Sequence, residues 1–443
     1  MSILRLIIAL IEIYIISSKK LIGIIDLFRH GSRSPLTMDD NNIDILNILW
    51  NNGKGEMTNS GLRQEYLSGV RIKDTYIKNK GLFSEIFNKE EFRIHSTDVN
   101  RTIISAYARL LGIFPSNHTD IIIDNQTIYL PQIVPVEVIP YPSKIFQIDE
   151  IGVCKGFTKE FYNNKDNIMY NVNTVVRIKY SVDLFEKTIF EKLKSKLRMS
   201  TRDINQHMND NPKFIYHIAD ALICAITENK DITYLGLSAK DLAFFKEYKD
   251  FFLLNGKRSD YELKIMAVPI YDMIIEFTRL LLAKESTLKY VGYSYHDKNL
   301  VTFFRILKLI VGENLNDITI PFASELIIEI YDDKTMSFIL NENVLFNINY
   351  EELKLRRNSL LLSTDEFNNF CKFGNDYKVS NHHHNRVLKI FVFFIIFDCF
   401  LILILFALVM YQKKSLKIRH EERYNENMLI DNKSKEKVFL LIN

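Results

Sequence analysis

The chain has 443 residues, of which 47% are hydrophobic and 25% are charged, and its formal net charge is +3. This composition allows a large buried core and excludes a disordered chain. Eight Lys or Arg and five Asp or Glu lie in residues 412–443, so this tail carries the excess positive charge. The remainder is nearly neutral, which excludes the basic surface that nucleic-acid binding requires.

A short apolar segment lies between Leu6 and Ile16, after Arg5 and before two serines and two lysines. Its eleven residues are too few to cross about 30 Å of hydrocarbon as a helix. We expect residues 1–18 to be a cleavable signal peptide, with an ordinary buried strand or helix as the alternative.

Residues 21–28 form a short run rich in isoleucine, which predicts a buried parallel strand that ends near Arg29. Periodic apolar positions then predict a helix, a strand and a second helix, at residues 59–78, 91–96 and 98–111. This alternation indicates an α/β domain with a mostly parallel central sheet and flanking helices. Such sheets bind ligands at the carboxyl ends of their strands, where Arg29, Arg33 and Arg101 would lie.

The middle of the chain, about residues 145–285, is richer in helical periodicity and in charge, for example at 182–198 and 260–286. We interpret part of it as a smaller helical cap domain over the sheet. Strands are predicted again at 290–293 and 325–331.

A second apolar segment, residues 390–411, is long enough to cross a bilayer as a single C-terminal transmembrane helix. Basic residues follow it directly, which places residues 412–443 in the cytosol and predicts a type I membrane protein. Residues 19–380 would then form the extracytosolic domain and residues 381–389 a stalk. Two sequons of that domain are expected to be glycosylated, at Asn117 and Asn125.

Four cysteines are spread along the chain, and Cys399 lies inside the apolar segment 390–411. In an oxidising compartment the other three permit one disulfide. We favour Cys154–Cys371. Closing a loop that long would remove about 4–5 kcal/mol of unfolded-state freedom. Cys224, within an apolar stretch, would remain a buried free thiol.

The loop after the first predicted strand has the sequence Arg-His-Gly-Ser-Arg-Ser-Pro at residues 29–35. Arg29 and Arg33 can both bind phosphate oxygens through paired hydrogen bonds. Gly31 has no Cβ and lets the backbone approach a phosphate closely. Between the arginines, His30 is nucleophilic when neutral and can accept a phosphoryl group.

This motif resembles the signature Arg-His-Gly-x-Arg-x-Pro of the histidine acid phosphatases, the lysosomal and prostatic enzymes of clade 2 of the histidine phosphatase superfamily. Further segments resemble motifs of that family in the same order along the chain. They are Gly-Glu-Met-Thr at 55–58 with Gly61, Ser-Thr-Asp-Val-Asn-Arg-Thr at 96–102, Ser-Tyr-His-Asp at 294–297 and Pro-Phe-Ala-Ser at 321–324. The resemblance covers about residues 22–372 and is weakest between 160 and 285.

The resemblance implies a role for each matching residue. His30 would be the phosphorylated nucleophile, and Asp297 would protonate the leaving alcohol and then activate the hydrolytic water. A cationic pocket would bind the phosphate, formed by Arg29, Arg33, Arg101 and His296. Phosphoryl transfer needs mainly in-line positioning and charge stabilisation, so with these cations we expect no metal and no cofactor.

The sequence departs from the family pattern directly after two of these motifs. Lys298 and Asn299 follow Asp297 where two threonines are usual, which would alter the pocket rim but not the acid. Glu325 stands where a cysteine is expected after Pro-Phe-Ala-Ser, so Cys224 would have no disulfide partner there.

The sequence therefore predicts an extracytosolic acid phosphatase for phosphate monoesters, anchored in a lysosome-like vesicle or at the cell surface. A dedicated inositol-phosphate or lipid-headgroup phosphatase is an alternative in the same fold. A receptor that binds phosphorylated ligands without catalysis is less favoured, because it predicts loss of His30 or Asp297. Besides the substrate and the membrane, the partner considered is a second copy of the chain in a homodimer.

Overall fold

The structure is a computed structural model that describes residues 19–115, 120–123, 126–129, 131–139, 154–157, 172–198, 211–255, 260–312 and 319–371. The predicted signal peptide, the sequon asparagines Asn117 and Asn125, the stalk, the apolar segment 390–411 and the tail lie outside these residues. Within the described ranges, no helix combines the length and apolar character that a bilayer crossing requires.

The described strands are β1 Leu21–Arg29, β2 Phe92–Thr97, β3 Asp120–Ile123, β4 Gln126–Tyr129, β5 Glu137–Ile139, β6 Tyr290–Tyr295, β7 Glu325–Tyr331, β8 Thr335–Leu340 and β9 Asn343–Asn349. Seven of them form the central sheet in the order β5-β2-β6-β1-β7-β8-β9, and β3 pairs with β4 separately. The strands predicted at 21–28, 91–96, 290–293 and 325–331 are all present, each within two residues of its predicted ends.

The central sheet is mixed, so the prediction of a mostly parallel sheet is wrong for one half of it. β5, β2, β6 and β1 are parallel neighbours, whereas β1–β7, β7–β8 and β8–β9 are antiparallel pairs. The hairpin turns between β7, β8 and β9 place Lys334, Asn341 and Glu342 at positive φ without a glycine. Because glycine usually marks such turns, residues 332–334 and 341–342 carry no clear hairpin signal.

The described helices are α1 Asn59–Ile72, α2 Asn100–Ile113, α3 Val172–Leu184, α4 Phe190–Leu193, α5 Asn211–Thr227, α6 Ala239–Asn255, α7 Asp260–Leu282, α8 Asp297–Val311, α9 Tyr350–Leu360 and α10 Thr364–Phe370. Thr58 caps α1, because its side chain accepts a hydrogen bond from the backbone N–H of Gly61. A π-helical segment, Lys73–Asn79, continues α1, so the two together match the helix predicted over 59–78.

Helices cover both faces of the sheet. Ile24, Ile25, Leu27 and Phe28 of β1 are all fully buried, although alternate residues of a strand point to opposite faces. A strand in this position needs a continuous apolar run, which explains the isoleucine-rich segment. The helix α7 lies on the sheet as well, because Leu281 packs against Gly23 of β1.

A second apolar core lies among the cap helices. It contains residues of α4, α5 and α6 together with Leu46, Ile48 and Trp50 from the loop before α1. This loop therefore connects the cap to the sheet domain. The helical cap predicted within residues 145–285 corresponds to α3–α6 among the described residues, whereas α7 belongs to the layer on the sheet.

Cys154 and Cys371 form a disulfide, which closes a loop of 217 residues in sequence separation. It attaches the segment 154–157 to the end of α10, where the backbone N–H of Lys155 also donates to the carbonyl of Cys371. Cys224, on α5, is a buried free thiol.

Candidate active site

Three neighbouring parallel strands end at one edge of the sheet, and the predicted site residues follow these ends. β1 ends at Arg29, opposite Tyr295 at the end of β6, and β2 lies on the other side of β6. The side chains predicted from the sequence meet there, namely Arg29, His30, Arg33, Arg101, His296 and Asp297.

The loop after β1 packs very closely against the start of α1. A Cβ atom on Gly31 would overlap the backbone of Gly61, and a Cβ atom on Gly61 would overlap the backbone of Ser32. We expected Gly31 to permit the approach of a phosphate, but in the structure its missing side chain permits this backbone contact. The Gly61 of the second motif is explained by the same contact.

His30 is buried and has a defined tautomer. Its Nδ1 atom lies 2.8 Å from the carbonyl oxygen of Gly31. Because a carbonyl oxygen can only accept a hydrogen bond, Nδ1 carries the proton of the neutral ring and Nε2 carries the lone pair. Burial, and then the positive charge of Arg29, hold the pKa of His30 well below its ordinary value. The imidazole is therefore neutral, as a nucleophile must be.

Two arginines of the loop are fixed by hydrogen bonds at their terminal nitrogens only. Arg29 donates to the carbonyl of Ile320 at 2.6 Å and to Asp297 Oδ2 at 2.8 Å. Arg33 donates to both carboxylate oxygens of Asp220, at 3.1 and 3.0 Å. The Nε–H groups of both arginines are buried and have no acceptor among the described residues. Each arginine therefore retains a buried donor for an anion.

Arg101 and His296 form a third part of the site. Arg101 Nη2 donates to His296 Nδ1 at 3.2 Å, which leaves Nε2–H of His296 to donate to Thr97 Oγ1 at 3.1 Å. Burial, and then the charge of Arg101, lower the pKa of His296 to about 3. We expected His296 to be one of the positive charges of the pocket, but in this arrangement it is neutral.

Asp297 begins α8 and lies beside the arginine of the loop. Burial alone would raise its pKa, but the charge of Arg29, followed by that of Lys249, holds the pKa of Asp297 well below its ordinary range. Its other oxygen accepts a hydrogen bond from the backbone N–H of Lys298 at 2.8 Å, at the positive end of the helix. The carboxyl group is therefore ionised in the unliganded site.

Comparison with known protein families decides the identity of this fold and site. The family model described as "Histidine phosphatase superfamily (branch 2)" matches residues 20–344, which is most of the chain. The chain belongs to this superfamily. The matched residues contain all six side chains of the site, from Arg29 to Asp297.

Individual relatives of this histidine phosphatase are distant. It is similar to the lysosomal acid phosphatase of Xenopus laevis, with 25% identity over 317 residues that cover 70% of this chain and 66% of the relative. The human lysosomal acid phosphatase is 23% identical over 324 residues, covering 70% of this chain and 67% of the relative. The match thus spans about two thirds of the length of these relatives.

A solved structure shares the fold. The phytase of Hafnia alvei, in complex with myo-inositol hexakis sulphate, superposes with a TM-score of 0.57. This superposition covers 80% of this chain and 99% of the phytase, at 13% sequence identity. At such low identity the likeness establishes the architecture and no more.

Two cap residues of this histidine phosphatase join the site although the sequence did not indicate them. Asp220 of α5 bridges Arg33 and Lys249, since Lys249 Nζ of α6 donates to Asp220 Oδ1 at 2.9 Å. Burial alone would raise the pKa of Asp220, but Arg33 and then Lys249 hold it far below the ordinary range. One signal was present: a single carboxylate in the apolar stretch of α5, one turn before Cys224.

A third cap residue holds the loop from the other side. Glu228 follows α5, and its carboxylate accepts hydrogen bonds from three hydroxyl groups. Ser32 donates at 2.6 Å and Thr58 at 2.7 Å to one oxygen, and Ser60 donates at 3.0 Å to the other. These residues belong to the loop after β1 and to the start of α1. Glu228 therefore attaches the loop that contains His30 to the cap.

We expect Glu228→Ala to lower the free energy of unfolding by about 1–3 kcal/mol, because three hydroxyl groups lose their acceptor. The KM for a phosphate monoester should increase in the same variant, since the loop that contains His30 loses one of its supporting contacts. Glu228→Gln keeps one acceptor oxygen and should lose less of both. The exposed Glu247 of the cap offers a matched control, and Glu247→Ala should change stability by less than about 0.5 kcal/mol. Equal effects of Glu228→Ala and Glu247→Ala would contradict this role.

Proposed function

We propose that this chain is an extracytosolic acid phosphatase that hydrolyses phosphate monoesters through a phosphohistidine at His30. One observation carries the proposal: the Nε2 lone pair of His30 lies in a buried site where the Nε–H donors of Arg29 and Arg33 have no acceptor within the part of the chain that the structure describes. Buried donors without acceptors are costly, and the oxygens of a phosphate would satisfy them. The names of the relatives, which are acid phosphatases, support the same activity.

The reaction takes two in-line steps. Nε2 of His30 attacks phosphorus, and the bond from phosphorus to the ester oxygen breaks while Asp297 gives its proton to that oxygen. Water then attacks phosphorus, its proton returns to Asp297, and the nitrogen–phosphorus bond breaks. Three arginines stabilise the charge on the transferred group, namely Arg29, Arg33 and Arg101.

The proton on Asp297 explains why acid should favour the reaction. The unliganded carboxyl is ionised because its ion pair with Arg29 lowers its pKa. A phosphate monoester brings about two negative charges at neutral pH, which offset the arginines and raise the pKa of Asp297 in the complex. Activity should be fully present below that pKa and be lost as the pH rises through it.

We further propose the topology that the sequence suggests. Residues 1–18 would direct the chain into the secretory pathway, and residues 390–411 would anchor it with residues 412–443 in the cytosol. The catalytic domain would then lie in a lysosome-like vesicle or outside the cell, with glycans on Asn117 and Asn125. Its relatives include proteins named as lysosomal, which fits an acidic compartment.

The direct test is to trap the phosphoryl group on His30. The full chain, in detergent, is mixed with a radiolabelled aryl phosphate and quenched within milliseconds. The label should be stable in base and labile in acid, and peptide mapping should place it on His30. Asp297→Asn should accumulate more label, because an aryl group can leave without a proton donor while the water of the second step lacks its base.

His95→Gln is the matched control for the loss of a histidine, because His95 of β2 stacks on Tyr293 of β6 and contacts no site residue among those described. This variant should still be labelled, whereas His30→Ala should not. Turnover with a label on another residue, or with none, would end the proposal.

A further inference from the structure

Lys249 of α6 is almost fully buried, with 2% of its surface exposed. Its Nζ atom donates to Asp220 Oδ1 at 2.9 Å, and Arg33 Nη2 donates to the same oxygen at 3.0 Å. The other oxygen, Oδ2, accepts from Arg33 Nη1 at 3.1 Å and from the backbone N–H of Leu36 at 3.3 Å. One buried carboxylate of the cap therefore lies between two buried cations.

These three side chains together carry a surplus positive charge. Two cations against one carboxylate give them a net charge of +1. Arg33 and Asp220 by themselves would form a neutral pair, which would attract a phosphate only weakly. The ammonium of Lys249 restores the attraction. Because a buried surplus charge is costly, the binding of an anion beside these residues is favoured.

Lys249 also belongs to a group of cations around the ring of Phe322. The ring centroid lies 4.1 Å from the guanidinium carbon of Arg29, 5.8 Å from that of Arg33 and 5.9 Å from Lys249 Nζ. The same centroid is 5.9 Å from the centroid of the His30 ring. Lys249 therefore lies close to the loop that contains His30, although it comes from the cap.

The charge of Lys249 acts on Asp297 as well. Burial raises the pKa of this carboxyl, and cations lower it: Arg29 most, then Lys249 and then Arg33. Asp250, next to Lys249, opposes this effect, but burial raises the pKa of Asp250 and so weakens its charge in acid. Among the described residues, the charged and titratable groups around Asp297 are Arg29, His30 and Arg33 from β1 and the loop after it, Tyr216 from α5, Lys249 and Asp250 from α6, and its chain neighbours His296 and Lys298.

We propose that Lys249 is a positioning residue for phosphoryl transfer, because its ammonium, held on Asp220, keeps a net positive charge beside Arg33 where the phosphate would bind. The inference goes beyond the proposed function, on which it rests, and adds a residue of the cap to the reaction. Lys249 acts through Asp220 and Asp297 and needs no contact with the substrate. It comes from residues 160–285, where the resemblance to the family motifs is weakest.

The role has a consequence for the pH dependence of the reaction. Loss of the ammonium removes one of the charges that lower the pKa of Asp297, so this pKa should increase. The first step requires the protonated acid, and activity is therefore lost as the pH rises through that pKa. Without Lys249 this loss of activity should occur at higher pH. A lysine that only supported the fold would not move it.

The test is Lys249→Met in the full chain, in detergent, because methionine fills the space of the lysine stem without its charge. Inorganic phosphate should inhibit the variant with a Ki increased about tenfold at pH 5, since one nearby positive charge is lost. With glycerol 2-phosphate, an alkyl ester whose oxygen needs a proton to leave, KM should increase as well. The kcat in acid should change less than about threefold, and its decline should move to higher pH. Lys249→Arg keeps the charge and should recover most of the affinity for phosphate.

A second background separates the charge of Lys249 from its pairing with Asp220. In Asp220→Asn the lysine has no carboxylate left to neutralise. Adding Lys249→Met to Asp220→Asn should still increase the Ki for phosphate about tenfold and should still move the decline of kcat to higher pH. Should Lys249→Met by itself fail to fold, this comparison carries the test.

Lys240→Met is the matched control, since Lys240 is an exposed lysine at the start of the same helix α6. It should leave Ki, KM and the pH dependence unchanged. A Lys249→Met protein that is less stable but has the Ki and the pH dependence of Lys240→Met would overturn the inference. An effect that disappears in the Asp220→Asn background would overturn it too. If the wild-type chain hydrolyses no ester, the proposed function fails, and titration calorimetry of inorganic phosphate with the same variants then tests the charge of the site, an unchanged Kd in Lys249→Met overturning the inference.

Discussion

Replacing His30 with alanine is expected to lower kcat for phosphate monoesters by about 10⁴-fold or more, because the covalent step has no other nucleophile. The arginines would still bind phosphate, so KM should change far less than kcat. Among the described residues the imidazole donates to the carbonyl of Gly31 alone, and its removal leaves the donors of Arg29 and Arg33 in place. Steady-state kinetics from pH 4 to 8, together with a binding curve for inorganic phosphate, measure the two effects separately.

Two other outcomes would contradict the role of His30 as the nucleophile. If His30→Ala keeps more than about a tenth of the wild-type kcat, an enzyme with direct attack by water becomes the better description. If phosphate binding disappears together with activity while thermal unfolding is unchanged, His30 binds phosphate rather than carrying it. His95→Gln should keep both kcat and phosphate binding.

The location of the site could be predicted because its residues follow the ends of strands. Arg29, His30 and Arg33 lie in one short loop, so a local motif contains them all. Arg101 and His296 are far apart in sequence, but each follows a strand that the apolar pattern indicates, and neighbouring parallel strands end at one edge. The order of strands along the sheet then determines which of these ends are adjacent.

The ionisation of the site could not be predicted in the same way. Nothing in the sequence around His296 shows that burial and Arg101 keep it neutral. The contacts of Asp220 and Glu228 arise only when the cap lies on the loop, and each residue by itself is an ordinary carboxylate of a helix or its end. Such contacts depend on how the cap core packs against the sheet domain. The periodicity of apolar residues in the sequence does not predict that packing.

The contacts of Glu325 could not be predicted from the sequence either. From the sequence it is only a departure from a family pattern, since a glutamate replaces a cysteine. In the structure it belongs to a buried cluster in which Arg109 donates to Asp26 at 2.6 Å, to Glu65 at 3.1 Å and to Glu325 at 3.1 Å. The half-exposed Arg71 reaches the same glutamate at 3.3 Å. The members come from β1, α1, α2 and β7, so no local pattern could have joined them.

This cluster leads to the second large expected effect, which concerns stability. Arg109 is fully buried, and Arg109→Met should lower the free energy of unfolding by about 3–5 kcal/mol at pH 8, because three buried carboxyl groups lose their main countercharge. The loss should be smaller at pH 5, because burial raises the pKa values of Glu65 and Glu325 and these two carboxyl groups can bind protons instead. Chemical unfolding at both pH values measures the difference.

In the wild-type protein, Glu65 should make the free energy of unfolding depend on pH. Burial, opposed by Arg109, raises the pKa of Glu65 from 4.5 to about 8. A carboxyl whose folded pKa is raised contributes stability that is fully present below its unfolded pKa and is lost as pH rises through the folded pKa. The contribution of Glu65 to the stability of the folded domain should therefore decrease between pH 5 and 8.

Two variants separate this cause from general damage to the core. Glu65→Gln keeps the shape but cannot ionise, so the part of the pH dependence between pH 5 and 8 that comes from Glu65 should disappear. Arg63→Met removes an exposed arginine of the same helix α1 and should change stability by less than about 0.5 kcal/mol at either pH. If Arg109→Met lowers the free energy of unfolding as much at pH 5 as at pH 8, proton binding by the cluster does not compensate for the lost arginine. The arginine would then act through its packing on Phe28, whose ring lies 3.7 Å from the guanidinium.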